Sequence, residues 1–161
     1  MWPWYKIECR EGTGPDRGRL LGLTTGFVLP LVGLMHCGSM EVFAATESKA
    51  EHGQPSRRGV QGLGRLLGST VFSYGNSQGC RTAEILAIKD DEYQNARLVR
   101  YYTYVFGFRT ILQVGGDGLA DLPHLLVWGG EGTRMDADIA AMLKKWGPAL
   151  RRELRAGVPA Q

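Results

Sequence analysis

The chain has 161 residues, enough for one domain, and its apolar share of 43% is ordinary for a globular protein. A formal net charge of +3 is too small to point to nucleic acid, because the basic residues are spread out except at the C-terminal end. Glycine is abundant at 23 residues, while the three cysteines, Cys9, Cys37 and Cys80, match no zinc spacing.

Arg17 and Arg19 precede an apolar run from Leu20 to Met40, and Val42-Phe43-Ala44 ends it with small-residue character at the cleavage positions. Positive flank, apolar middle and small exit predict a secretory signal peptide cut before Ala45. The alternative is an uncleaved membrane anchor through Leu20–Met40. The segment before the run is long for a signal peptide and carries acids, which suggests that Met1 is not the true start. Cleavage would leave Cys80 as a lone thiol, with burial its expected fate. The expected location is periplasmic or secreted, or membrane-anchored in the alternative.

Residues 45–68 mix Thr, Glu, Ser, Lys, Gln, Pro, Gly and Arg with little to bury, and are expected to form a flexible linker. Gly59, Gly62, Gly64 and Gly68 lie near Arg57, Arg58 and Arg65, without the Lys-Ser/Thr pair of a Walker phosphate loop. The three expected parts are therefore a leader or anchor over 1–44, the linker over 45–68 and a folded domain over 69–161.

Ser69–Tyr74 reads as a short strand, Gly75-Asn76-Ser77-Gln78-Gly79 as a turn, and Thr82 as the N-cap of a helix. That G-x-S-x-G resembles the nucleophile elbow of the α/β-hydrolases. A compact serine hydrolase would use Ser77 with His124 as base and Asp117 or Asp121 as the orienting acid. Asp121 and His124 are too close in sequence for the usual separate loops, and the strands that precede such an elbow have no room. A polar turn before a helix is the plainer reading.

Asp91–Val114 places Leu98, Tyr101, Tyr102, Val105, Phe106, Phe108 and Leu112 on one helical face. A strand over Tyr101–Phe108 is the alternative. Arg109 falls within the apolar arc and, with Tyr101 and Tyr104, is a candidate contact for a partner protein. Asp117, Asp121 and Glu131 lack the spacing of a calcium loop. Asp136 is expected to cap a helix with Ile139, Met142, Leu143 and Trp146 at i, i+3, i+4, i+7, broken at Gly147-Pro148. Lys144, Lys145, Arg151, Arg152 and Arg155 make this end basic, as a solvated face or a surface for an acidic partner.

The order after residue 79 resembles a group of small exported helical proteins, the HdeA-type acid chaperones and the periplasmic immunity proteins of type VI secretion. Carrying the resemblance are Cys80-Arg81-Thr82, the aromatic helix into Gly107-Phe108, the Gly116-Asp117 turn, and the helix from Asp136 to Pro148. The group's disulfide has no counterpart, since Gly147 follows Trp146 where the second cysteine would stand. The resemblance implies a mainly α domain of three to four helices. It also implies a non-enzymatic, protective or protein-binding role in the cell envelope. No cofactor, metal or nucleic acid is called for, and the partner is another protein.

Overall fold

The computed structural model describes residues 3–11, 18–43, 57–115 and 130–156. In chain order they form β1 (Trp4–Arg10), β2 (Leu20–Leu29), a single 3-10 turn, β3 (Leu34–Val42), α1 (Arg57–Ser77), β4 (Thr82–Ile88) and α2 (Glu92–Tyr101). A π-helical turn (Tyr102–Phe106), β5 (Arg109–Val114), β6 (Gly132–Asp138) and α3 (Ile139–Ala156) follow. The strands make one six-stranded sheet in the order β1-β2-β3-β4-β6-β5. Its only parallel pair among the described residues is β3 with β4.

That sheet corrects the expectation of a mainly α domain. Leu20–Met40 is neither a leader nor a membrane helix here. Its alternation places Gly22, Thr24, Gly26 and Val28 on the buried face of β2 and Leu21, Leu23, Thr25 and Phe27 on the other, which is the two-residue period of a strand. No helix among the described residues is long and apolar enough to cross a membrane. The last part of the expected linker belongs to α1, as does Ser69–Tyr74, expected as a strand. Thr82 opens β4 rather than a helix.

The aromatic helix exists but is shorter than its apolar pattern implied. Asp91 caps it, accepting from the Gln94 amide at 2.7 Å. It widens into the π-helical turn and stops at Gly107, whose φ of 74° is left-handed. A side chain there would strain the backbone. The strand alternative over Tyr101–Phe108 is not formed; β5 begins only at Arg109. Asp136 lies inside β6, and Asp138 caps α3 instead, accepting from the Ala141 amide at 2.7 Å.

The core lies between the sheet and these helices. Phe72 of α1 stacks on Phe106 at 5.9 Å and meets Phe108 edge-on at 5.8 Å. Met35, Ala83, Ile85, Met135 and Ile139 complete the same buried cluster. Asn95 ties α2 to the sheet, donating to the Ala87 carbonyl at 2.7 Å and accepting from Thr133 at 3.1 Å. Trp146 of α3 donates its indole N–H to the Val105 carbonyl at 2.6 Å, and Lys145 donates to Tyr104 O at 2.8 Å.

Candidate functional site

The pairing of β3 with β4 covers only Leu34–Cys37 against Thr82–Ile85. β3 runs on to Val42 paired with β2, and β4 runs on to Ile88 paired with β6. The two strands therefore part after Cys37 and Ile85, opening a gap in the middle of the sheet at its carboxyl-terminal end. Facing strand edges carry backbone N–H and C=O groups that a ligand with amides of its own can satisfy. A bulge at the parting leaves Gly38 outside the β2–β3 register, because Thr25 pairs with Ser39 and Gly26 with Cys37. Crevices beyond the carboxyl ends of parallel strands are where open α/β sheets bind ligands.

Helix α1 returns over β3 in the opposite direction. A Cβ added at Gly64 would lie 4.0 Å from the Val42 side chain, and one at Gly75 would strike the Met35 sulfur. The N-terminal end of α1 consequently stands at the mouth of the gap, where free backbone amides and the helix dipole favour an anion. The Cβ at Gly64 would also lie 2.7 Å from the Tyr101 hydroxyl, so this position stays small and Tyr101 reaches the mouth from α2. Burial raises the Tyr101 pKa, with the nearby Arg65 charge opposing the rise. The Arg65 guanidinium itself lies over the Trp146 ring at 5.3 Å.

On the sheet face away from the core, the register sets Phe27, His36, Glu84, Asp136 and Arg109 in one row across five strands. His36 stacks on Phe27 at 4.5 Å. Its Nδ1 lies 3.0 Å from Glu84 Oε1, while Glu84 Oε2 receives an N–H from Arg134 at 3.0 Å. His36 and Glu84 are both 6% exposed. Arg134 also faces Asp136 at 3.7 Å, whose pKa burial raises against the pull of Arg134. This chain, with His36 and Glu84 buried and Arg134 one-quarter exposed, sits one residue pair from the parting of the strands.

The expected site residues are dispersed. Ser77 ends α1, its hydroxyl donating to the Tyr74 carbonyl at 2.7 Å. The order there is helix, turn, strand, the reverse of a nucleophile elbow. Asp117, Asp121 and His124 lie outside the described residues. Arg109 is exposed on the edge strand β5, not in an apolar helical arc. Tyr101 alone reaches the gap, and Tyr104 is 74% exposed on the π-helical turn. His36, Glu84 and Arg134 were hidden from sequence reasoning because their partnership is set by strand register between distant segments.

No family model matches the chain, and no curated protein does. Solved structures do. An acetyltransferase assigned to the GNAT family from Desulfovibrio desulfuricans superposes with a TM-score of 0.54 at 17% identity, over 85% of this chain and 69% of its own. The fold is that of the GNAT acetyltransferases. Nourseothricin acetyltransferase gives 0.52 at 14% identity over 85% of this chain and 66% of its own, so the chain spans just under two thirds of that protein. A protein from Klebsiella pneumoniae assigned as an acyl-CoA N-acyltransferase gives 0.51 at 16%, over 85% and 73%. The GNAT fold corrects the resemblance to HdeA-type and immunity proteins. These neighbours are named as acetyltransferases, a finding against the expectation of a non-enzymatic protective or protein-binding protein.

Proposed function

We propose that this chain transfers an acyl group from a coenzyme A thioester to an amine. The observation that carries the reading is the parting of β3 and β4 with the N-terminal end of α1 at its mouth, on a GNAT fold. The residues present fit such a donor. The strand edges beyond Cys37 and Ile85 match the amides of a pantetheine arm, and the start of α1 matches its pyrophosphate. When bound, the donor supplies an activated acyl carbon.

The chain's own groups then have three tasks. The strand edges hold the thioester in line, so that an incoming amine meets it as an intramolecular reactant. The backbone at the Gly38 bulge, beside the parting, would stabilise negative charge developing on the acyl oxygen. The buried His36–Glu84 pair takes the proton that the amine loses, with Arg134 fixing the Glu84 carboxylate in place. Tyr101, at the mouth of the gap, contacts the donor.

Calorimetric titration with acetyl-CoA, followed by thiol release across a panel of amines, tests the reading. Saturable binding with amine-dependent release of free coenzyme A is expected. A protein that binds neither acetyl-CoA nor other short acyl-CoA thioesters at millimolar concentration would remove it.

A further inference from the structure

Among the described residues the sheet ends in two edges, β1 and β5. The Val28 amide donates to the Pro3 carbonyl at 2.7 Å, so in the antiparallel register Tyr5, Ile7 and Cys9 also turn their backbone groups towards β2. Trp4, Lys6, Glu8 and Arg10 turn theirs outward, where an added strand can pair with them. Their side chains share the face away from the core, with Glu8 2.8 Å from both Lys6 and Arg10. Trp4, on the same face, is 66% exposed. Charges on an edge usually keep a second strand away, but here they alternate. Two copies of β1, set antiparallel about Ile7, place Lys6 of each opposite Glu8 of the other, and Trp4 of each opposite Arg10. β5 has no such symmetry, since Arg109 is its sole charge and an extra residue at Ile111 bulges it.

We infer that β1 is a docking edge for a second copy of this chain, the two sheets joining antiparallel about a two-fold axis at Ile7. A two-fold contact is self-complementary and closes on itself, so one pairing consumes both β1 edges. In that register the backbones of Lys6 and Glu8 exchange hydrogen bonds across the junction. The two Ile7 side chains meet in the closer, non-hydrogen-bonded position. Each exposed Trp4 ring receives an arginine from the other copy. Charge selects both the occupant and the register. A slip of two residues one way sets Lys6 against Lys6, and the other way sets Glu8 against Glu8. The inference stands apart from the acyl-transfer reading.

Sedimentation velocity on the full chain, from about 1 µM to about 500 µM, is expected to show a monomer–dimer equilibrium. Lys6→Glu and Glu8→Lys, each alone, set like charges opposite one another at two symmetry-related places and are expected to weaken dimerisation about tenfold. The double variant Lys6→Glu/Glu8→Lys puts unlike charges back and is expected to recover most of the loss, which misfolding would not. In a Cys9→Ser background, Ile7→Cys is expected to form a covalent dimer on mild oxidation much faster than Lys6→Cys, whose thiols lie on diagonal positions. A chain that stays monomeric throughout overturns the inference. So does a dimer that ignores both charge reversals and fails to cross-link through Ile7→Cys, because its copies then join elsewhere. A monomer that instead takes up an unrelated extended peptide along β1 gives the edge to that partner, and the inference fails equally.

Discussion

Glu84 accepts from histidine on one oxygen and from arginine on the other while almost wholly buried. Removing one member of a buried charge pair strands the other. Glu84→Gln keeps the volume and loses the charge, so a urea titration is expected to show a loss of about 2 kcal/mol. The figure stays at the low end because Arg134 is one-quarter exposed and keeps Asp136. The same variant is expected to lower kcat by about a hundredfold while acetyl-CoA affinity holds, since the pair acts on the amine's proton. Equal losses in kcat and affinity would count against that role. Burial pushes the Cys37 thiol up from 9.0 to about 11 and the Tyr102 hydroxyl from 10.0 to about 12. Both groups hold their protons more tightly folded than unfolded, so unfolding releases protons in alkali. Their contribution is complete below pH 9 and is lost as pH rises from 9 towards 11 for the thiol, then towards 12 for the phenol. Denaturant midpoints measured from pH 8.5 to 11 should fall, and Cys37→Ala should flatten the first part of the decline.

Between α2 and β5 one backbone conformation decides where helix gives way to strand. Gly107→Ala places a Cβ on a left-handed residue with open space around it, and thermal unfolding is expected to register a loss of about 1 kcal/mol from backbone strain alone. Trp146→Phe retains a ring against Arg65 but deletes the 2.6 Å bond to Val105 O. A similar loss of about 1 kcal/mol is expected by denaturant titration. The helical stripe from Leu98 to Phe106 was legible because its period and its Asp91 cap agree. The strands were not. In Leu20–Met40 both faces of β2 and β3 carry apolar or small residues, so a sheet interior and a leader look alike along a line of letters. α1 was misread for the opposite reason. Gly64 and Gly68 looked like linker glycines and Gly75 like the start of a turn, yet each faces a large neighbour, Tyr101, Phe106 or Met35. Val71, Phe72 and Tyr74 favour a strand by propensity, and packing against the sheet overrides it. The His36–Glu84–Arg134 chain could not be read at all, since no local spacing links β3, β4 and β6.

Across the whole molecule, a ligand that occupies only the folded state raises stability by mass action. Acetyl-CoA at a hundred times its Kd is expected to add about 2.7 kcal/mol, visible as an upward shift in Tm. The sheet itself is two three-stranded ribbons, β1-β2-β3 and β4-β6-β5, stitched by four residue pairs. Such a short stitch leaves the ribbons free to rock like the covers of a book about its spine, with α1 as the binding on one side. Amides along Leu34–Cys37 and Thr82–Ile85 should therefore exchange with deuterium sooner than those deep in either ribbon, and a guest lodged between the covers should slow them together.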